Sequence, residues 1–353
     1  MEAVLALHAE GGTVPFIARY RKDRTGALDE VVIQQILDES NRLQELEDRK
    51  AAVIKSIEEQ GKLTEALSAI IRAASTLSQV EDLYMPYKPK RKTKGSIARE
   101  KGLEPLALWL LEQTAEAPET KAKEFLTDQV FTIEEALQGA RDILAEIINE
   151  DAVVREKLRR YFESEALIKT SVLTDKENDG IKYKDYFDYS EPIHRIPSHR
   201  ILAILRGFLE GFLRLSIAPE ESGVQEIIEP LFINGMSPSS IHIRKAITDG
   251  YRRLLQPSLE TEFRTALKAK ADEEAIHVFA ENLRQLLLSA PLGAKRILAI
   301  DPGYRTGCKV VCLDEKGELL ETALIYVHEK NRVDEARYTI QKLLQIHQIQ
   351  AFA

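Results

Sequence analysis

The sequence predicts a mainly α-helical chain that runs into the incomplete start of an α/β domain. Three observations carry this. Apolar residues recur at helical three-to-four spacing through most of the first 290 positions. At Pro291 the period changes, and compact apolar runs alternate with turn signals. The chain has 353 residues, 44% hydrophobic and 30% charged, enough apolar material for more than one core. No uninterrupted apolar run of about 18 residues is present, which excludes a membrane-spanning helix.

The elements follow in order. Positions 29–60 hold no Pro or Gly, and Ile36, Leu43, Leu46, Val53 and Ile57 form an apolar seam in which Glu39 and Lys50 fill two places. This reads as one long helix of roughly 45 Å at ~1.5 Å per residue, packed on neighbouring helices. Gly61 is the expected stop and Thr64 the N-cap of a second helix reaching about 77. Residues 86–102, with two prolines and two glycines, read as an ordered connector or loop. Helical spacing returns over 103–165, with a break at Pro118. A mixed segment follows at 171–217: TDKENDG is a turn, YKDYFDYSEP is aromatic and polar, and Ser198 reads as the N-cap of RILAILRGFLEG. Whether FLRLSIAP beyond Gly211 is helix or strand stays open. Residues 248–288 read as helix broken at Pro257. KRILAID, CKVVCLD and LLETALIYV then read as three strands, 331–348 as a helix, and IQAFA as the start of another strand. The expected organisation is 1–105, 106–292 and 293–353.

Charge distribution is more informative than its sum of −8. Residues 1–105 hold 17 Lys/Arg against 17 Asp/Glu, so the remainder (32 against 40) carries the whole acidic excess. Within 84–102 (YMPYKPKRKTKGSIAREKG), seven cations meet one acid. Lys88, Lys90, Arg91, Lys92, Lys94, Arg99 and Lys101 are candidates for phosphate contact, with Tyr84 and Tyr87 for base stacking. The alternatives are a solvated loop, or lysines paired with the acidic remainder of the chain. A secondary cluster, Arg19, Arg21, Lys22 and Arg24, is interleaved with Phe16 and Tyr20. On one helix Arg21 and Arg24 share a face, as do Ile17 and Tyr20 opposite. Pairing with carboxylates at an interdomain contact is the favoured reading there, with nucleic-acid contact second. Charge reversal at Arg91 and Lys92 is therefore expected to weaken binding more than reversal at Arg19 and Arg21.

Other chemistry is sparsely signalled. Cys308 and Cys312 would stand about 13 Å apart on one strand, at ~3.3 Å per residue, so they read as packing on one face. A reducing, cytoplasmic setting is the expectation, with no signal peptide at the start. The seven histidines show no metal-ligand spacing, and there is no phosphate-binding glycine loop or nucleophile elbow. No cofactor, membrane or small-molecule substrate is expected.

Four stretches together resemble one family: TVPFIARYRKDRTGALDE (13–30), EDLYMPYKPKRKTKG (81–95), PSHRILAILRG (197–207) and LAIDPGYRTGCKVV (298–311). They are similar to the signature stretches of the bacterial Tex proteins, which are transcription accessory proteins. The resemblance implies a helical N-terminal region with helix-turn-helix-like elements, then a YqgF domain of RNase H-like fold. It also implies that the chain stops inside that domain, before an OB-fold RNA-binding module, and that some twenty residues are missing at the start. With the last sheet unfinished, either dimerisation through exposed strands or disorder after about Pro291 is expected. The implied partners are RNA or DNA, with RNA polymerase or other transcription proteins. Asp301 matches the first-strand aspartate that binds catalytic metals in the superfamily, Holliday-junction resolvases included. Two-metal chemistry needs several converging carboxylates, so the position is expected to be vestigial. Locally Asp-Pro-Gly also reads as a type II turn with Gly303 at positive φ, and Arg305 and Gly307 as shaping it. The expected function is non-enzymatic nucleic-acid binding. A metal-dependent nuclease using Asp301 in a longer chain, or a pure protein-interaction scaffold, are the alternatives.

Overall fold

One long helix carries two separate small cores. The computed structural model describes residues 1–89, 92–303, 306–328 and 332–353. After α1 (Glu2–Ala9), α2 (Val14–Tyr20) and α3 (Lys22–Thr25), the long helix α4 spans Glu30–Glu59. Asp29 caps it, its Oδ1 accepting from the Val32 amide at 2.8 Å. Near its start, Ile33 and Leu37 pack with Val4, Leu7, Ile17 and Ala18. Near its end, Leu46, Val53 and Ile57 pack with Ile71 of α5 (Glu65–Ala73) and Val80 and Tyr84 of α6 (Leu77–Tyr84). Leu43, expected in a continuous seam, lies between the two patches and is 47% exposed. Lys50 is buried in the seam. Its ammonium donates to Glu47 Oε1 at 2.7 Å and to the Arg72 carbonyl at 3.0 Å, which satisfies the charge. Gly61 ends the helix at φ +67, and Thr64 caps α5, as the sequence predicts.

The connector expected over 86–102 is helical in its second half. A single 3-10 turn, Met85–Tyr87, precedes α7 (Lys94–Glu100), which opens with a capping box between Thr93 and Ser96. Gly95 is not punctuation here. A Cβ at that position would come within 2.4 Å of the Glu146 carboxyl, so the glycine permits close helix packing. Then come α8 (Glu104–Glu112), α9 (Pro118–Ala122), α10 (Ile133–Glu150) and α11 (Ala152–Glu165). The break expected at Pro118 lies just before it, over 113–117, and Pro118 opens α9 at the position where its missing N–H costs nothing. The largest core gathers around α10, through Leu137, Ala140, Ile143, Leu144 and Ile148.

The mixed segment forms an antiparallel sheet in the order β2-β1-β3, from β1 (Leu167–Val172), β2 (Asp188–Pro192) and β3 (Leu213–Ala218), with α12 (Ser198–Leu209) between the last two. The stretch left open is thus a strand, and Leu213, Leu215 and Ile217 alternate into the core. Pro197 occupies the N-cap position of α12. Ser198 is its first residue and donates its hydroxyl to Glu274. After α13 (Glu221–Phe232) and α14 (Ser240–Gly250), the chain continues through a π turn, Tyr251–Leu255, into α15 (Gln256–Leu288). The expected break at Pro257 does not occur. The wider π turn just before it accommodates the ring, which would otherwise collide with the preceding turn.

Two compact units, Met1–Ala275 and Ile276–Ala353, divide the chain within α15. In the first, Asp82 of α6 is a buried clasp. It accepts from Arg155 Nε at 2.6 Å and Arg159 Nη1 at 2.9 Å on α11, while Arg159 Nε also reaches Glu262 of α15 at 2.6 Å. The second unit holds β4 (Ile297–Asp301), β5 (Cys308–Leu313), β6 (Leu319–Ile325), α16 (Val333–His347) and β7 (Ala351–Phe352). Its sheet order is β6-β5-β4-β7, antiparallel except for the parallel β4/β7 pair. This is the strand-strand-strand-helix-strand opening read from the sequence. Leu298, Cys308, Val310, Cys312 and Ile325 pack under Ala336 and Leu343 of α16, and both cysteines are free thiols in that layer. Among the described residues no helix is long and apolar enough to cross a membrane.

Candidate nucleic-acid interface

The fold sorts the cations of 84–102 into two groups. Arg99 and Lys101 are turned onto α10. Arg99 donates to Glu146 Oε2 at 2.7 Å and to Glu104 Oε1 at 3.1 Å; Glu146 is buried. Lys101 donates to Glu135 Oε1 at 2.8 Å. The Lys101 ammonium, with help from the Phe131 amide, holds the Glu135 carboxyl below its ordinary range. Lys94 and Lys101 border a groove of about 400 Å³ that also contains Glu134, Glu135 and Asp142. That groove offers phosphate no net positive field. Burial pushes the Asp142 carboxyl up against the opposing pull of Arg253 and Lys94.

The other group faces outward. Lys88 is exposed and forms no ion pair among the described residues, whereas Lys94, also exposed, stands on the rim of the carboxylate-bearing groove. Lys92 reaches Glu100 only at 3.6 Å, with both side chains more than 60% exposed. Lys90 and Arg91 lie outside the described residues, as does Arg305. The two tyrosines depart from the expected stacking role. Tyr84 is buried, its hydroxyl 2.9 Å from Ser56 Oγ and its ring 5.4 Å beneath the Arg49 guanidinium. Tyr87 is half-buried against the same core, and its carbonyl accepts from Gln60. The apolar core at the end of α4 takes up Tyr84 wholly and Tyr87 in part.

The secondary cluster also differs from the expectation. Arg21 interrupts the helix at φ −130, ψ 28, so Arg21 and Arg24 do not share one helical face. Ile17 is fully buried and Tyr20 is 65% exposed, so these two point to different environments. Tyr20 instead aligns with Phe16, four residues back, at 5.5 Å between ring centroids. Arg19 meets Glu30 at 3.4 Å and Arg24 meets Glu10 at 3.7 Å, both on the surface.

Asp301 is exposed at the end of β4, paired in register with Lys309. Among the described residues no three His, Cys, Asp or Glu side chains converge as a metal site would need. Gly303 does not adopt the left-handed conformation of a type II turn. Its smallness serves a close approach, since a Cβ would meet the Gly307 carbonyl oxygen at 2.3 Å. Gly307 does take positive φ, +81.

Three family descriptions match consecutive parts of the chain: a Tex-like protein N-terminal domain over 1–58, a Tex central region over 113–279, and a Tex protein YqgF-like domain over 295–353. The chain belongs to the Tex family. It is 43% identical over its whole length to the transcriptional accessory protein Tex of Neisseria gonorrhoeae, covering 47% of that protein. To protein YhgF of Escherichia coli it is 41% identical, again over its whole length and 47% of the relative. To the human S1 RNA-binding domain-containing protein 1 it is 29% identical over 92% of the chain and 34% of that protein. The chain thus spans about half the length of the bacterial relatives it matches. The basic segment of this Tex chain falls between the first two matched regions, whereas Asp301 falls inside the YqgF-like one.

Proposed function

We propose that this chain is the helical scaffold of a non-enzymatic, nucleic-acid-binding transcription accessory protein that works in the cytoplasm beside RNA polymerase or other transcription proteins. Its auxiliary contact is the basic segment of residues 84–102, through the cations at positions 88–92. The observation that carries this reading is Lys88, which is exposed and forms no ion pair among the described residues, next in sequence to the cations Lys90, Arg91 and Lys92. Among the described residues there, phosphates would displace the loose, solvent-screened pair of Lys92. Binding by such contacts releases counterions, tolerates any sequence, and weakens steeply with salt. The names of the relatives, a transcriptional accessory protein and an S1 RNA-binding domain protein, support the same direction.

The test is a fluorescence-anisotropy titration with single-stranded RNA at about 50 and about 200 mM salt. It is repeated with Lys90, Arg91 and Lys92 changed to Glu, and a parallel incubation with Mg²⁺ looks for cleavage. Salt-sensitive binding lost in the variant, with the strand intact, is the expected result. Absence of binding at either salt would leave the scaffold role alone, and Mg²⁺-dependent cleavage would overturn the non-enzymatic reading.

A further inference from the structure

We infer that Phe16, Tyr20 and Arg21 form a stacking platform for the unpaired bases of a single nucleic-acid strand. The inference rests on the nucleic-acid reading above and adds a second site, of different chemistry, to it. It begins with how α2 is anchored. Ile17 and Ala18 are buried in the small core with Val4, Leu7 and Ile33, which fixes the helix and turns positions 16 and 20 outward together. Phe16 is 39% exposed and Tyr20 65%. The chain leaves the helix at Arg21, and this departure brings its guanidinium back to 4.7 Å from the Phe16 ring centroid. Arg21 Nη1 donates to the Tyr20 carbonyl at 2.9 Å, so the guanidinium is held in place. Tyr20 is therefore the open ring of the group, with Phe16 tilted 43° to it and the Arg21 guanidinium over the Phe16 ring, and both ring and guanidinium are surfaces on which a base can stack.

This arrangement differs from the other ring–cation pairs among the described residues. There the rings, Tyr84, Tyr183, Phe208, Phe212 and Tyr326, are themselves buried or half-buried. At α2 both rings are exposed, Tyr20 more than Phe16.

Charge around the platform selects the occupant. Positions 19–24 carry Arg19, Arg21, Lys22 and Arg24 against Asp23 alone. The partners of Arg19 and Arg24 are exposed carboxylates at 3.4 and 3.7 Å, pairs weak enough to exchange for phosphate. A cavity of about 470 Å³ opens beside Phe16 and Arg21, bordered by Leu7, Glu10 and Thr13, and leaves room for a base edge next to the rings. Exposed aromatics flanked by cations fit a polyanion with planar, unpaired bases; a duplex would keep its bases stacked on one another.

An abasic strand separates the two sites, since it keeps the phosphates and lacks the bases. The intact chain is titrated with a single-stranded oligonucleotide and with an abasic oligonucleotide of equal length. Tyr20→Ala is expected to weaken binding of the ordinary strand about fivefold or more, and to leave both the abasic affinity and the salt slope unchanged. Because Tyr20 is exposed, the variant should keep the wild-type unfolding midpoint, and Tyr20→Trp should restore affinity. The indole introduced by Tyr20→Trp, read after changing the single native one, Trp109→Phe, should lose fluorescence as bases stack on it. If Tyr20→Ala binds the ordinary strand as the wild type does, or the emission of the Tyr20→Trp variant is unmoved at saturation, the platform does not touch bases and the patch is left to a protein partner. Wild-type chain that binds neither strand would overturn the nucleic-acid reading itself. Loss in Tyr20→Ala of ordinary and abasic binding alike would assign the residue to folding and sink the platform.

Discussion

Residues 16–24 and 84–102 look alike in sequence, since both interleave cations with aromatic residues, yet the fold treats them in opposite ways. Around 84–102 the rings turn inward, and Arg99 and Lys101 are drawn onto α10 by Glu146 and Glu135. Around 16–24 the rings stay outside, and the arginines make only loose surface pairs. What separates them is the neighbour. The rings of the second segment pack at the end of α4 and two of its cations meet carboxylates of α10, whereas the first segment packs through Ile17 and Ala18 on a small core and leaves its rings outside. A count of positive charge therefore overstates the interface at 84–102 and misses the aromatic chemistry at 16–24.

The largest effect expected from this comparison is on stability. Asp82 lies two residues before Tyr84 and binds two arginines in a buried site. Asp82→Ala leaves Arg155 without its carboxylate and should cost about 3–5 kcal/mol in denaturant unfolding. Arg19→Ala, on the surface, should stay within about 0.5 kcal/mol. Equal losses would mean that both segments are structural and would erase the distinction.

Next comes affinity. Changing Arg91 and Lys92 to Glu should weaken single-strand binding more than changing Arg19 and Arg21 to Glu. Each phosphate contact removed should lower the salt slope by about 0.7. A larger loss from the Arg19 and Arg21 variant would invert the ranking and make the α2 surface the principal contact.

Much of the fold was legible because it is written in local periodicity. The apolar spacing of α4, Gly61 and Thr64 at its end, and the strand runs after Pro291 all appear where the residues place them. The failures occurred where a local signal has a tertiary use. Gly95 read as a loop residue and is a packing contact. Pro257 read as a break and is seated by a π turn. The candidate site was less legible for the same reason. Nothing near Arg99 in sequence announces Glu146, 47 residues away. The Asp82 clasp joins residues 73 and more positions apart and has no local signature. Phe16 and Tyr20 did carry a usable signal, their spacing of four on a short helix, which pairs them once Ile17 is assigned to the core.

A smaller effect tests the burial of Tyr84. Tyr84→Phe removes the hydroxyl that pairs with Ser56 and should cost about 0.5–1.5 kcal/mol of stability without changing nucleic-acid affinity. A weaker complex with unchanged stability would place the ring at the interface, against its inward orientation in the fold.

The smallest effect concerns Lys101, and its sign can be worked out. The Lys101 ammonium holds the Glu135 carboxyl below its ordinary value, so on acidification the unfolded chain takes up this proton first. The stabilisation is present above the unfolded carboxylate value of about 4.3 and is lost as pH falls through the lower folded one. Lys101→Met removes the main cause and leaves only the Phe131 amide. The acid limb of a thermal-midpoint profile should then fall less steeply below about pH 4.5, with no change near neutrality in the affinity for single strands. An acid limb identical to that of the wild type would mean that Glu135 does not hold Lys101 in solution. The ammonium would then be available to phosphate, and the line drawn between the inward and outward cations of 84–102 would have to move by one residue.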